Sequence, residues 1–173
     1  MAYLKLLTSK HDEYYTPSYA VVPIEKYLKR NSTVWCPFDT EDSYFVKYFK
    51  SKGHKVIYTH LNSGEDFFEV DVPICDYIIS NPPFSLKYEI LDKLFKLKIP
   101  FAMLVGDMGI FGSKKRFEMF RDNKFEIMYF DKRISYLNES WEKVPSINPP
   151  FASVYVCSNM LPTQIVFEII HKI

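Results

Sequence analysis

The sequence predicts an α/β fold in which helices cover both faces of a mostly parallel sheet. Short apolar segments alternate along the chain with segments of helical periodicity, a pattern typical of strands joined by crossover helices. Most of the apolar segments lack the alternation of a half-exposed strand, so they are expected to be buried on both sides. The 173 residues suffice for one core, and no linker or repeat divides them. We therefore expect a single domain over residues 1–173.

Four segments have the periodicity of a helix that buries one face. The first covers residues 17–30 and begins at Pro17, because the fixed φ of proline suits a first helical turn. The second ends near Gly53, a residue type common at helix C-termini, and the fourth covers residues 113–121. The apolar residues that define the first three faces are Val21, Ile24 and Leu28, then Phe45, Val46 and Phe49, and then Ile90, Leu91, Leu94 and Phe95.

Six short apolar segments are predicted to be strands, at residues 33–36, 55–59, 77–80, 101–105, 125–130 and 153–157. Helical segments between most of them predict parallel pairing. No helical pattern separates the last two, so the final strand is expected to be antiparallel. Residues 131–150 join these two strands without secondary structure of their own, and connections of that length are usually functional.

The charge balance excludes a strongly basic nucleic-acid-binding domain. Lysine and arginine total 22 against 21 aspartate and glutamate residues, and the formal net charge is +1. Any contact with a polyanion must therefore come from local clusters. The sequence offers two, Lys114-Lys115-Arg116 and Lys132-Arg133, although short charge runs are more often solvated surface.

The three cysteines, Cys36, Cys75 and Cys157, have no CxxC spacing and lie in or beside apolar segments. Buried, reduced thiols are therefore expected rather than disulfides or metal ligands. The first residues are too charged for a secretory signal, and no apolar stretch is long enough to span a bilayer. We expect a cytoplasmic protein.

The predicted topology brings three segments to one edge of the sheet. Ligands of doubly wound sheets bind beyond the carboxyl ends of the strands, where the strand order reverses. The loop Pro37-Phe38-Asp39 follows the first strand, and Asn81 follows the third. In a Rossmann-like order these two strands are neighbours. Because the final strand is antiparallel, the connection at residues 131–150 is expected at the same edge.

Asn81-Pro82-Pro83-Phe84 forms a stiff corner directly after a buried strand. An amine on an aromatic ring is a poor nucleophile because its lone pair is delocalised into the ring. The side-chain oxygen of Asn81 and the carbonyl of Pro82 can accept the two N–H groups and localise that pair. Phe84 offers a face on which a planar ring can stack. The corner therefore suits alkylation of an amine on a flat substrate.

This tetrapeptide resembles the Asp/Asn/Ser-Pro-Pro-Tyr/Phe motif of class I S-adenosylmethionine-dependent methyltransferases that modify amino groups, the N6-adenine DNA methyltransferases above all. The order of PFDTEDS, GEDFF, SNPPF and DKRI, within residues 12–157, is similar to the small orphan adenine methyltransferases of bacteriophages. The resemblance implies a Rossmann-like class I methyltransferase fold. In that family the motif follows the fourth strand, so a further strand is expected within residues 61–72.

The resemblance also implies roles for particular side chains, without any metal. The catalytic corner would consist of Asn81, Pro82, Pro83 and Phe84. The cofactor S-adenosylmethionine would be bound by Tyr15, Thr16, Pro17, Pro37, Phe38, Asp39, Asp66, Phe67 and Asn81. Among these, Asp39 would receive the methionine ammonium, Asp66 the adenine amino group, and Phe67 would stack on the adenine. The substrate would be contacted by Phe84, Lys132, Arg133, Tyr136 and Trp141.

Two of these segments have an alternative interpretation. Thr16 and Pro17 also suit an ordinary helix start, as the cap and the first residue. Asn148-Pro149-Pro150-Phe151 repeats the tetrapeptide, but it precedes a strand instead of following one. Turn chemistry explains this second copy, although it could also line the crevice from above.

The chain departs from the family pattern in three places. Residues 36–43 contain no glycine, whereas the family uses glycine there to let the cofactor approach the backbone. Thr59-His60 stands where an acidic residue is expected to hold the ribose hydroxyls. Little chain is left for a separate target-recognition domain, so recognition of the target sequence is expected to be short or relaxed.

The favoured interpretation is an enzyme that moves a methyl group from S-adenosylmethionine to N6 of an adenine flipped out of DNA. Its partner would be DNA, with no membrane and no metal, in the host cytoplasm if a phage encodes it. One alternative is another planar amino group, such as guanine N2 of ribosomal RNA or the glutamine amide of a release factor. A second is a non-catalytic binding protein that keeps the fold. The glycine-free loop favours that second alternative, and the intact corner favours an enzyme.

Overall fold

Seven strands and four helices make up the regular structure of the described chain. The structure is a computed structural model, and it describes residues 14–138, 140 and 149–172. The strands are β1 (Thr33–Cys36), β2 (Lys55–Tyr58), β3 (Tyr77–Ser80), β4 (Phe101–Gly106), β5 (Glu126–Phe130), β6 (Ser153–Ser158) and β7 (Ile165–Glu168). The helices are α1 (Ser18–Glu25), α2 (Tyr44–Ser51), α3 (Lys87–Leu97) and α4 (Lys114–Arg121). Short 3-10 turns lie at Leu61–Ser63 and Phe84–Leu86.

All seven strands form one sheet in the order β2-β1-β3-β4-β6-β5-β7. β6 is antiparallel to β4 and to β5, and every other neighbouring pair is parallel. The register places Trp35 beside Ile57 on one side and Ile78 on the other. The predicted α/β class is therefore confirmed, including the antiparallel pairing of the strand that follows residues 131–150.

Helices cover both faces of the sheet because successive strand residues point to opposite sides. Val34 and Ile79 pack with side chains of α1 and α2 in one apolar cluster. Trp35 and Ile78 pack with side chains of α3 and α4 in a second cluster on the other face. β3, β4 and β6 are buried along their whole length. This double burial explains why their sequences are continuous apolar runs.

Capping residues set the ends of two helices. The Ser43 hydroxyl accepts a hydrogen bond from the backbone N–H of Phe45 at 3.2 Å at the start of α2. Gly53 follows α2 with a φ of 86°, in the left-handed region that favours glycine. Ser113 caps the start of α4 as Ser43 caps α2, since its hydroxyl accepts a hydrogen bond from the backbone N–H of Arg116 at 3.3 Å.

The first helix is shorter than the sequence pattern predicts, since α1 ends at Glu25 instead of near residue 30. Beyond it, the N–H groups of Tyr27 and Leu28 donate to carbonyls three residues back, at 3.2 and 2.9 Å. The chain therefore tightens into 3-10-type turns there. Pro23 lies inside α1 and has no N–H to donate, which weakens the helix further.

The sheet differs from the prediction towards both edges. The prediction of a strand within residues 61–72 was wrong, because these residues form turns. Gly64 closes the 3-10 turn Leu61–Ser63 with a φ of 78°, and the Asp66 carboxylate accepts a hydrogen bond from the N–H of Phe68 at 2.9 Å. Both features bend a backbone that a strand would need extended. At the opposite edge, β7 lies parallel to β5 and was not predicted. Its residues alternate between exposed and half-buried, a weaker signal than a continuous apolar run.

All three cysteines are free thiols, with Cys36 and Cys157 buried and Cys75 half-buried. Burial raises the pKa of all three thiols, that of Cys75 to about 11. The thiols are therefore protonated at neutral pH, in agreement with the reduced, inert role expected from the sequence.

Candidate active site

The asparagine corner lies at the carboxyl edge of the sheet, where β3 ends. Ser80 is the last residue of β3, and Asn81, Pro82 and Pro83 lead directly into the 3-10 turn Phe84–Leu86 and then α3. Pro82 is buried, while Asn81, Pro83 and Phe84 are half-buried. The corner thus places a half-buried amide and a half-buried ring at the carboxyl end of a fully buried strand.

The side chain of Asn81 is hydrogen-bonded through its amide nitrogen but, among the described residues, not through its oxygen. Its Nδ2 donates a hydrogen bond to the backbone carbonyl of Tyr14 at 2.6 Å. Its Oδ1 is buried and has no hydrogen-bond partner among the described residues. A buried acceptor without a donor costs free energy unless a ligand supplies the donor. Asn81 therefore presents the acceptor that an incoming N–H group needs.

The loop after β1 meets this corner through Asp39. The carboxylate accepts hydrogen bonds from the hydroxyls of Ser43 and Ser80, the second at 2.5 Å. Ser80 directly precedes Asn81, so this hydrogen bond joins the loop after β1 to the loop after β3. The two loops therefore lie at the same edge of the sheet, as the sequence predicted. Asp39 is buried, and burial raises its pKa to about 6, although the two hydroxyls oppose the shift. A cation would be the natural partner of such a carboxylate.

The raised pKa of Asp39 makes a prediction about stability. The folded protein holds this proton to a higher pH than the unfolded chain, whose carboxyl has an ordinary pKa near 3.8. Between about pH 4 and pH 6, raising the pH should therefore lower the free energy of unfolding, by about 3 kcal/mol in all. Chemical denaturation of the ligand-free protein at pH 4, 5, 6 and 7 measures this. The Asp39→Asn variant should lack the contribution, and equal pH profiles of the two proteins would contradict it.

The segment before α1 crosses over the corner. The carbonyl of Tyr15 accepts a hydrogen bond from the N–H of Leu137 at 2.9 Å, which ties this segment to the connection after β5. Thr16 is buried, and its hydroxyl has no partner among the described residues. Pro17 occupies the position before the helix and there is no side-chain capping bond, so Thr16 does not act as the helix cap. The orphan hydroxyl is a second polar atom available to a ligand.

Phe84 belongs to a cluster of aromatic rings at the same edge. Its ring is stacked with that of Tyr14, with centroids 4.9 Å apart and planes at 26°. Tyr136 meets it edge-on at 5.9 Å, and Phe151 lies 5.5 Å away. Tyr136 is buried, and its hydroxyl is 2.8 Å from that of Ser153. The second copy of the tetrapeptide therefore reaches the site through its phenylalanine, while its asparagine, residue 148, lies outside the described residues.

Asp66 and Phe67 follow the 3-10 turn after β2. Both are buried, with Asp66 bent back onto the backbone and the ring of Phe67 completely inaccessible. Lys93 Nζ lies 4.6 Å from the centre of that ring, and Phe38 packs against it at 5.0 Å. A bound ring could stack on Phe67 only after one of these neighbours moved. Phe38 itself is half-buried.

The residues at the end of β2 have structural contacts. The Thr59 hydroxyl accepts from the indole N–H of Trp35 at 3.0 Å and lies 3.4 Å from the carbonyl of Pro37, which is buried. His60 Nδ1 accepts from the backbone N–H of Asn62 at 3.0 Å and so holds the 3-10 turn. Thr59 and His60 therefore have structural contacts at the place where the family pattern has an acidic residue.

The candidate substrate residues after β5 are not grouped together. Tyr136 joins Phe84, as described above. Lys132 is exposed and donates to the carbonyl of Ile170 at 3.0 Å, with Asp131 at 3.1 Å. Arg133 is exposed. Trp141 lies outside the described residues.

Three residues of this site escaped the sequence analysis: Tyr14, Ser43 and Ser80. Ser80 and Tyr14 adjoin residues that the motifs single out, which is a weak signal. The contact of Phe151 depends on Gly106, because a Cβ at that position would lie 2.5 Å from the Phe151 ring. Nothing in the local sequence ties these two residues together.

Among the described residues, no group of three or more potential metal-ligating side chains comes together. Nor does any helix in the described ranges have the length and apolar character needed to cross a membrane.

Comparison with known proteins finds similarity in structure. No protein-family model and no curated protein matches the sequence. One similar structure is a modification subunit of a putative type I restriction enzyme from Vibrio vulnificus, with a TM-score of 0.56 and 12% identity over 86% of this chain. Another is a dimethyladenosine transferase from Plasmodium falciparum, with a TM-score of 0.51 and 11% identity over 84% of this chain.

The chain spans only part of these relatives, 45% of the first and 62% of the second. At these identities the likeness concerns the fold. That fold is the Rossmann-like α/β fold with the mostly parallel seven-stranded sheet described above.

Proposed function

We propose that this chain transfers a methyl group from S-adenosylmethionine to the exocyclic N6 amine of adenine in DNA. The observation that carries the proposal is the buried Oδ1 of Asn81, which has no hydrogen-bond partner among the described residues and directly follows Ser80, a donor to the buried Asp39 carboxylate. The names of two structural relatives support it: one is a modification subunit of a restriction enzyme and the other a dimethyladenosine transferase. The Asn-Pro-Pro-Phe sequence at the corner supports it independently.

Asn81 acts on the amine through its fixed orientation. Because Nδ2 is held by the carbonyl of Tyr14, Oδ1 points its lone pairs at the position of the incoming N–H group. The carbonyl of Pro82 supplies the second acceptor. Two acceptors draw the nitrogen towards tetrahedral geometry and localise its lone pair, and the stiff corner avoids reorganisation when this happens. No side chain needs to form a covalent intermediate.

The residues around the corner fit S-adenosylmethionine, which supplies a methyl group on a positively charged sulfur when it is bound. The buried Asp39 carboxylate is suited to the methionine ammonium, since its partners among the described residues are neutral hydroxyls. The buried hydroxyl of Thr16, which has no partner in the part of the chain that the structure describes, adds a polar contact between Tyr15 and Pro17. The remaining proposed contacts are Pro37, Phe38, Asp66 and Phe67, of which Phe67 requires a neighbour to move.

The planar substrate is proposed to take the position that the Tyr14 ring fills now. The rings of Tyr14 and Phe84 are already in stacking contact, and their separation of 4.9 Å leaves no room for a third ring between them. A base that stacks on this face of Phe84 must therefore displace Tyr14. The ring of Tyr14 is a competitor of the substrate in this arrangement.

The Tyr14→Ala variant is expected to bind the methyl acceptor more tightly. An aromatic pair contributes about 0.5–1.5 kcal/mol beyond burial, so removing the competitor should lower KM for DNA by about 2-fold to 10-fold. The Tyr14→Phe variant keeps the competing ring and serves as the matched control. Steady-state kinetics with varied DNA concentration gives both values. A higher KM for Tyr14→Ala would mean that the ring holds the substrate instead of competing with it.

The decisive experiment incubates the protein with S-adenosylmethionine labelled in its methyl group. DNA, ribosomal RNA and a release factor are offered as separate acceptors, and labelled nucleic acid is digested for nucleoside analysis. The expected product is N6-methyladenine in DNA. N2-methylguanine in RNA or a methylated glutamine would replace the proposed substrate. If calorimetry detects binding of S-adenosylmethionine but no acceptor is methylated, the chain is a non-catalytic binding protein. The absence of glycine from residues 36–43 favours that alternative.

We also propose that residues 1–173 act as one domain. Recognition of DNA then depends on the loops that surround the corner. The connection at residues 131–150, with Lys132, Arg133, Tyr136 and Trp141, is the proposed substrate-facing segment.

A further inference from the structure

A second loop leaves the sheet next to the proposed site. Residues 107–112 connect β4 to α4, and the loop starts after Gly106, the last residue of β4. The backbone of Gly106 lies directly against the ring of Phe151, which in turn contacts Phe84. The N–H of Asp107 also donates to the carbonyl of Ala152 at 2.9 Å. One aromatic ring therefore separates this loop from the catalytic corner.

Side chains from two helices hold the backbone of this loop. Lys87 of α3 donates to the carbonyl of Gly106, at the end of β4, at 3.0 Å and to that of Met108 in the loop at 3.1 Å. The hydroxyl of Tyr88 and the guanidinium of Arg116 both donate to the carbonyl of Gly109, at 2.7 and 3.0 Å. Arg116 also lies flat over the ring of Tyr88, 3.6 Å from its centre. Three side-chain hydrogen bonds therefore hold the loop backbone at Met108 and Gly109, and a fourth holds the end of β4 at Gly106.

The fixed loop presents apolar side chains to solvent. Met108 is 64% exposed and Phe111 is 50% exposed. The next residues along the chain are basic: Lys114 and Lys115 are exposed at the start of α4. Lys114 forms an ion pair with Glu118 at 3.9 Å, and an exposed pair of that length holds a lysine only weakly. An exposed methionine on a hydrogen-bonded loop, followed by exposed cations, is unlike an ordinary solvated loop.

This combination matches the needs of an enzyme that extracts a base from duplex DNA. Removing a base from the stack leaves a gap, and proteins fill such gaps with apolar side chains such as methionine or phenylalanine. A wedge must be stiff, because a flexible loop would be pushed aside by the stacked bases. The phosphates on either side of the gap need cations, and the overall charge of +1 leaves that task to local clusters.

We propose that Met108 enters the base stack of duplex DNA beside the extruded adenine, while Lys114 and Lys115 bind the phosphates next to it. The proposal rests on the proposed function, since it presumes a base delivered to the corner at residues 81–84. It assigns the grip on the duplex to the loop after β4. Phe111 supports the loop from below through its contact with Phe120, whose ring centre is 5.0 Å away.

The wedge is tested by comparing double-stranded and single-stranded acceptors. A duplex oligonucleotide carrying a methylation site mapped on genomic DNA, and the target strand alone, are each methylated by wild type and Met108→Ala. The variant should lose about 10-fold in kcat/KM on the duplex and stay within about 2-fold on the single strand, where no base needs extraction. Ile74→Ala is the matched control, because Ile74 is 98% exposed in the segment that precedes β3.

The phosphate contacts are tested by the salt dependence of duplex binding. The double variant Lys114→Ala/Lys115→Ala should reduce the slope of log K against log salt concentration by about 2, since each phosphate contact contributes about 0.9. The matched control is the double variant Lys55→Ala/Lys124→Ala. Both lysines are exposed and lie at the amino-terminal ends of β2 and β5, at the edge of the sheet opposite to the proposed site. The slope of this control should equal that of wild type.

The possible outcomes separate the two proposals. Equal duplex rates for Met108→Ala and wild type, an equal loss on both DNA forms, or an unchanged salt slope for the lysine variant would overturn the wedge and leave methyl transfer intact. Failure of wild type to methylate either DNA form would overturn the proposed function, and the wedge with it. A loss on the duplex alone, together with the smaller slope, supports the proposal.

Discussion

Replacing Asn81 by alanine is expected to lower the rate of methyl transfer by about 10²-fold to 10³-fold, the usual effect of removing one fixed polar group from a reaction centre. The alanine variant loses the acceptor that localises the amine lone pair. It also loses the hydrogen bond to the carbonyl of Tyr14, which measures 2.6 Å in the native protein. Cofactor binding should change far less than the rate, because Asp39 stays in place on Ser43 and Ser80.

This expectation is checked by single-turnover transfer of labelled methyl groups, with calorimetry for the cofactor. Asn62→Ala is a suitable control, because Asn62 is an exposed amide in the 3-10 turn Leu61–Ser63. Thermal unfolding of both variants establishes that they are folded. A rate for Asn81→Ala within a few-fold of wild type would remove the proposed acceptor from the mechanism.

Replacing Asp39 by asparagine is expected to weaken the binding of S-adenosylmethionine by about 10²-fold, as when one partner of a buried charge pair is removed. The same change should stabilise the ligand-free protein above pH 6, because a neutral amide avoids the cost of burying a charge. The carboxylate has a pKa of about 6 in the folded chain. Affinity of the wild type for the cofactor should therefore fall as the pH drops through that value.

Two measurements test this opposition of stability and binding. Calorimetric titration at pH 5, 6, 7 and 8 should give a pH-dependent affinity for the wild type and a weak, flat profile for Asp39→Asn. Urea denaturation at pH 7 should show the variant to be the more stable protein. Glu41→Gln removes an exposed carboxylate from the same loop and should change neither quantity. Unaltered cofactor affinity in Asp39→Asn would exclude Asp39 as the ammonium site.

The parts of the fold that are buried on both sides could be predicted from the sequence. The segments at β1, β3 and β6 are continuous apolar runs, and such runs have few alternatives to a buried strand. β7 was missed because an edge strand needs only one covered face and carries a weak pattern. The extra strand within residues 61–72 was inferred from a family pattern, and local turn chemistry at Gly64 and Asp66 prevails over it.

Within the site, topology predicts more than composition does. Asp39 and Asn81 could be placed at one edge because parallel neighbours end at the same side of a sheet. The unpartnered oxygen of Asn81 could not be foreseen, since it depends on a contact with Tyr14, 67 residues away in the chain. The burial of Phe67 under Lys93 and Phe38 likewise depends on packing between distant segments.

The chemical inertness of Cys36, Cys75 and Cys157 has a practical consequence. Their raised pKa values keep them in the thiol form near neutral pH, so a maleimide dye should react with them only slowly in the folded chain. A Phe117→Cys substitution, at a side chain of α4 that is 56% exposed, would then introduce one reactive cysteine without prior removal of any native cysteine. Emission from a dye at that position would change as DNA settles over the neighbouring loop, and the approach of the two molecules could be followed in real time.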